Sequence, residues 1–176
     1  MKAWLHLLNE LETPFCRLWS HRSSQRRYLS RSFAVISRLG DGVFWYMLMA
    51  AMVVFDGLDG MLATAHMIIT GGLSFGFYKA LKGTTRRERP CNYALDINAI
   101  VAPLDRYSFP SGHTLHAVAF TYIALHYYPQ LAWLLIPLTL LIALSRVILG
   151  LHYPSDVIFA TIIGFGLGYS SILILG

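Results

Sequence analysis

The sequence predicts an all-α integral membrane bundle of about five transmembrane helices, preceded by an N-terminal interfacial amphipathic helix. Two properties carry that prediction. The 176 residues are 56% hydrophobic and only 13% charged, too apolar for an ordinary soluble domain. The apolar residues also collect in runs separated by Gly, Pro and charged turns, most of them long enough to cross hydrocarbon. A formal charge of +5 can signal nucleic acid, but so apolar and aromatic a chain assigns it to an anionic membrane surface, and no nucleic-acid partner is expected. The length suits a single domain over 1–176, read as an interfacial segment 1–31 and a helical bundle 33–176.

In residues 1–31, Trp4, Leu5, Leu8, Leu11, Phe15, Leu18 and Trp19 recur at helical spacing among Glu, His and Arg. No stretch there is apolar enough to span a bilayer, which gives the interfacial reading, with a break or kink expected at Thr13-Pro14. The first residues lack the basic, then apolar, then small pattern of a cleaved signal peptide. Arg22, Arg26, Arg27 and Arg31 follow among serines and are placed with lipid headgroups, with no helix assigned to them. Residues 33–55 form the first expected span, ended by the turn Asp56-Gly57-Leu58-Asp59-Gly60. Residues 61–81 form the second, where His66 is read as a side chain bonded to a neighbouring helix. A long polar loop runs from Lys82 to Pro110. The third span covers 113–128. The fourth covers 131–148, with a bend expected at Pro137. The fifth covers 155–175 and carries Gly164-x-x-x-Gly168, a helix-packing signal. Cys16 and Cys91 have neither metal-ligand spacing nor the number a disulfide framework needs.

Alternating passes place the end of the second span, the start of the third, the end of the fourth and the start of the fifth on one membrane face. Three polar clusters distant in sequence then converge. They are Lys82-x-x-x-x-x-x-Arg89-Pro90, Pro110-Ser111-Gly112-His113, and Ser145-Arg146-x-x-x-x-x-His152-x-x-x-Asp156. Each residue type has a use at a phosphate. Lys82, Arg89 and Arg146 are fixed cations for phosphoryl oxygens. Ser111 and the Gly112 N–H sit at a helix start, where the dipole favours an anion. His152 can attack phosphorus, Asp156 can fix its tautomer, and His113 can give or take a proton. Taken singly, the cations would be a helix-end flank and His152 with Asp156 a helix cap. Taken together, those readings require three complementary clusters to meet on one face by chance.

The three clusters resemble, in order and internal spacing, the tripartite signature of the type 2 phosphatidic acid phosphatase family. The resemblance runs from about Ser37 to the C-terminus. It implies a metal-independent phosphatase acting through a phosphohistidine. His152 would be the nucleophile, Asp156 its partner and His113 the acid and base, with Lys82, Arg89, Ser111, Gly112 and Arg146 on the phosphate. No cofactor is implied, and the loops and spans offer no metal-ligand spacing. Substrates suggested by the family are undecaprenyl diphosphate, phosphatidylglycerol phosphate, phosphatidic acid and lipid A phosphates. Arg86 and Arg87 lie outside the signature and add charge beside its first cluster.

Three other readings differ in class: a lipid phosphotransferase using the same site, a vanadium haloperoxidase-like enzyme, and a non-enzymatic lipid-binding protein. The spans oppose the second, since those enzymes are soluble and larger, and the intact His and Asp set opposes the third. Sidedness divides the signals. Lys79, Lys82, Arg86, Arg87, Arg89, Arg106 and Arg146 share the site's face, and a literal positive-inside count puts that face in the cytoplasm. The family resemblance implies the periplasmic or extracytoplasmic face of a bacterial inner membrane. Because several of these cations have a chemical reason to be there, the reading follows the family.

Overall fold

A computed structural model describes residues 2–97, 99, 101–103 and 105–175. Residues 98, 100 and 104 of the expected polar loop therefore lie outside the described set. The elements are α1 (Lys2–Gln25), α2 (Arg27–Leu39), α3 (Val43–Thr85), the single turn α4 (Pro90–Tyr93), α5 (Gly112–Tyr127), α6 (Ala132–Ile148) and α7 (Pro154–Leu175), with a 3₁₀ turn at Pro129–Leu131. Among the described residues there is no strand.

α3 is a hairpin. Gly57 has φ 54° and ψ −119°, non-helical values inside an otherwise continuous helix. Thr64 Oγ1 donates to the Met49 carbonyl at 3.1 Å. Fifteen residues of straight helix would hold those groups about 22 Å apart. The chain therefore reverses at Gly57 into legs 43–56 and 58–85. The legs touch so closely that a Cβ on Gly60 would lie 1.9 Å from the Met52 carbonyl oxygen. The turn expected at 56–60 is where the reversal occurs.

The first expected span, 33–55, is corrected. α2 stops at Leu39, and a new helix starts at Val43. Between them Gly42 has φ 121°, which side-chain-bearing residues rarely adopt. Hydropathy alone joined two segments that this backbone bend separates. Helix also occupies most of the arginine-rich stretch, as the end of α1 and the start of α2. α1 runs unbroken through Pro14, so the expected break is absent. Proline removes one hydrogen bond to the carbonyl four residues back. Pro14 and Glu10 are both exposed, so the freed carbonyl can be solvated.

Among the described residues, three stretches are long and apolar enough to cross a membrane: Val43–Tyr93, which contains the reversal at Gly57, Pro129–Ile148 and Pro154–Leu175. α5, at 16 residues, is shorter and central. Its Leu115, Ala117, Ala119, Ile123 and Ala124 are fully buried against α3, α6 and α7. Around this core, Phe55, Leu58, Leu73, Trp133, Ile162 and Leu173 face outward, an apolar belt suited to lipid. His66 bonds Tyr127 on α5 and Ser171 on α7, at 3.1 and 3.0 Å.

α1 is amphipathic with its polar side inward. Asn9, Thr13, Cys16, Ser20 and Ser23 are buried, while Trp4, Leu7, Leu11, Phe15 and Leu18 are exposed. The buried side presents polar groups to the bundle, while His6, Glu10 and Arg17 share the exposed surface with the apolar residues.

Gly164 and Gly168 set the distance between α7 and α5. A Cβ on Gly164 would fall 2.5 Å from the Leu115 carbonyl oxygen, and one on Gly168 3.2 Å from the Tyr122 side chain. Gly164→Ala is expected to destabilise by about 1–3 kcal/mol, the scale of overpacking. Gly166→Ala, whose Cβ meets nothing within 4 Å, is the control. Thermal unfolding in detergent reads both, and equal melting of the two variants would contradict this packing.

Candidate active site

The site is assembled by chain reversals at helix ends. α3 ends on Arg86 in the left-handed region, φ 48°, with its N–H bonded to the Lys82 carbonyl. The reversal sends residues 87–89 back under the bundle. α6 ends similarly. Gly150 has φ 71°, and the Arg146 carbonyl accepts both the Leu151 and the His152 N–H, each at 3.1 Å. The five-residue spacer between Arg146 and His152 is thus the length of a turn that folds His152 back onto Arg146. α5 starts on Ser111, whose Oγ accepts the Thr114 N–H at 3.5 Å, an N-cap.

A cavity of about 460 Å³ opens at this level. Its polar end is lined by Lys82, Arg89, Gly112, His113, Arg146 and His152, drawn from all three sequence clusters. Its other end is apolar, with Trp45 and Met49 from the first leg of α3, Ile68 and Phe75 from the second, and Phe120 from α5. Two of the sequence-derived candidates do not line it. Ser111 is fully buried in its cap, and Asp156 lies fully buried behind His152.

Arg89 Nη1 donates to the Leu151 carbonyl at 2.7 Å and meets His152 Nε2 at 3.0 Å. A guanidinium only donates, so Nε2 is the acceptor and the ring proton sits on Nδ1. Nδ1 lies 3.6 Å from Asp156 Oδ2. Burial, then the positive charges of Arg89, Arg146 and Lys82, hold His152 well below its ordinary pKa. The ring is neutral, with a lone pair directed at the cationic end of the cavity.

Sequence reasoning missed two carboxylates that line the cavity, Asp41 and Asp105. Asp41, in the turn between α2 and α3, meets His113 Nε2. The hydrogen bond from His113 holds the Asp41 carboxyl below its usual range. Asp105 receives Lys82 Nζ on both oxygens at 2.8 Å and Arg89 Nη2 at 2.6 Å. Burial raises the Asp105 carboxyl pKa, but bonds and charge from Lys82 and Arg89 outweigh it and hold the group low. Lys82 also donates to the Tyr107 carbonyl at 3.0 Å, which uses all three of its N–H groups. A phosphate bound by Lys82 must displace one of them. Arg146 is differently placed. Its Nη1 donates to Ser37 Oγ, while among the described residues its Nε is buried without a partner. The only sequence signal for Asp105 was an acidic residue in a loop crowded with cations.

Residues 60–175 match the family model described as the PAP2 superfamily. The undecaprenyl-diphosphatase of Sulfolobus acidocaldarius is 26% identical over 145 residues, 79% of this chain and 67% of that protein. The decaprenylphosphoryl-5-phosphoribose phosphatase of Mycobacterium tuberculosis is 34% identical over 90 residues, 50% of this chain and 48% of that protein. The chain thus spans about two thirds of the first relative's length and about half of the second's. The crystal structure of Aquifex aeolicus LpxE superposes with a TM-score of 0.79 at 25% identity, covering 93% of this chain and 95% of that one. A transmembrane PAP2-type phosphatidylglycerolphosphate phosphatase from Bacillus subtilis gives 0.70 at 23% identity, over 98% and 92%, a likeness of fold.

Proposed function

The chain belongs to the PAP2 superfamily, and on that premise we propose that it is an integral membrane phosphatase hydrolysing lipid phosphates or diphosphates through a phosphohistidine on His152, without a metal. The observation that carries the reading is the neutral His152, its Nε2 accepting from Arg89 at the cationic end of a cavity whose other end is apolar. Arg89 and Arg146 bind the phosphoryl oxygens, with the Gly112 N–H at the positive end of α5 and Lys82 exchanging a bond with Asp105. Ser111 serves the phosphate by capping that helix start. Nε2 forms a bond to phosphorus as the bond to the lipid oxygen breaks, and His113 protonates that oxygen. His113 then takes a proton from water, which attacks phosphorus, and the N–P bond breaks to release phosphate and restore His152. Fixed cations do most of the work, because phosphoryl transfer asks little covalent help of a protein.

The names of the two curated relatives join a polyprenyl chain to a phosphate. The apolar half of the cavity suits such a tail, so we place polyprenyl phosphates and diphosphates first among the substrates. The site faces the extracytoplasmic side in this reading. Among the described residues no group of three His, Cys, Asp or Glu side chains could hold a metal ion. Phosphate release in detergent is therefore expected from undecaprenyl diphosphate and phosphatidic acid, to survive excess EDTA, and to be inhibited by vanadate. Loss on chelation that added Mg²⁺ or Zn²⁺ restores would overturn the metal-free mechanism. Turnover of glucose 6-phosphate as efficient as that of the lipids would overturn the substrate class.

A further inference from the structure

Arg87 is buried, yet it does not line the cavity. Its guanidinium is committed on every side. Nε donates to Asn9 Oδ1 at 2.8 Å, and Nη2 to Glu12 Oε2 at 2.8 Å. Nη1 donates to Ser155 Oγ at 2.6 Å and to Asp156 Oδ1 at 2.7 Å. Its plane covers the Tyr153 ring, 4.1 Å from the centroid. Glu12 closes the network, accepting the Ser155 N–H at 2.9 Å and the Ser155 hydroxyl at 2.7 Å. One cation thus joins α1, the segment after α3 and the first turn of α7. Asn9 and Glu12 precede residue 60, where the family match begins.

We propose that Arg87, anchored by Glu12 and Asn9, is a positioning residue for the His152–Asp156 pair, and that α1 is therefore part of the catalytic assembly. The inference rests on the reading of His152 as nucleophile. Asp156 has two oxygens with separate duties. Oδ1 is held by Arg87, which leaves Oδ2 to accept the Tyr153 N–H at 2.9 Å and to face His152 Nδ1. A buried carboxylate also needs a counter-charge. Here one guanidinium meets two carboxylates, Glu12 and Asp156, at 2.8 and 2.7 Å, so one negative charge is left over. The imidazolium that forms when Nε2 bonds phosphorus supplies its counterpart. In the phosphoenzyme Asp156 thus faces a positive ring on its Oδ2 side that is neutral in the resting state, which is where a catalyst gains. A lysine could not replace it, because a point ammonium cannot reach four acceptors spread around a planar fork.

The test is a double-mutant cycle on the full chain in detergent. Arg87→Met should lower kcat by about 10–100-fold, the usual loss when an outer partner of a reacting group is removed. KM should stay within about twofold, since the cavity wall is untouched, and Arg87→Lys should not rescue kcat. In an Asp156→Asn background the same Arg87→Met change should cost less than about twofold more, because its effect runs through Asp156. An equal loss in both backgrounds, or an unchanged kcat, overturns the proposal. Should Arg87→Met fail to fold, Glu12→Gln takes its place in the cycle, with the same non-additivity expected and the same additivity overturning it. Wild-type phosphate release separates the two readings. An inert wild type removes the phosphatase reading itself, whereas an active wild type with an additive cycle removes only the role of Arg87.

Discussion

His152→Ala is expected to fold and to lose essentially all turnover, on the order of 10⁶-fold, as when a covalent nucleophile is deleted elsewhere. Folding should survive because each neighbour keeps a partner. Arg89 retains the Leu151 carbonyl and Asp105, and Asp156 retains Arg87 and the Tyr153 N–H. Chemistry should not survive, because the nitrogen that accepts from Arg89 at the cationic end of the cavity, and would bond phosphorus, is gone. Wild-type protein mixed briefly with ³²P-labelled lipid phosphate and quenched in alkali, which spares phosphohistidine, should carry label, and the variant should carry none. Undiminished label on His152→Ala would move the nucleophile elsewhere.

What the sequence disclosed about this site, and what it hid, follows from how local each contact is. His152 and Arg146 are joined by one turn, so their spacing is a backbone property that a motif records. The same holds for Ser111 and Gly112 at the start of α5. Asp105 meets Lys82 across 23 residues, Asp41 meets His113 across 72, and Arg87 meets Glu12 across 75. No periodicity registers those pairs. Arg87 read as spare charge because nothing local separates a buried guanidinium from an exposed one. The fold divides along the same line. The DGLDG turn was legible, since Gly57 supplies a conformation that most residues avoid. The boundary at Gly42 was not, because hydropathy averages across a single glycine and merged α2 with the first leg of α3. α1 was legible as amphipathic, but which face meets the bundle depends on the environment outside it, and here the polar face turns inward.

His113→Ala should slow the reaction by about 10²–10⁴-fold on lipid phosphates, the range for loss of a general acid. The loss should depend on what leaves. A prenyl or alkyl oxygen is a strong base and needs its proton as the P–O bond breaks, whereas a p-nitrophenolate leaves without one. His113 sits on the cavity wall in the first turn of α5, and Asp41 holds its Nε2. The hydrogen bond from His113 keeps the Asp41 carboxyl below its usual range, so an ionised Asp41 holds and orients the His113 ring at the cavity wall. Asp41→Asn should then reproduce the pattern at smaller amplitude, with a larger loss on the alkyl than on the aryl substrate. Phosphoenzyme formation measured by rapid quench on both substrates decides the matter. If His113→Ala slows alkyl and aryl phosphates by the same factor, His113 is not the proton donor, and its place beside Arg146 and Lys82 would be one of binding alone.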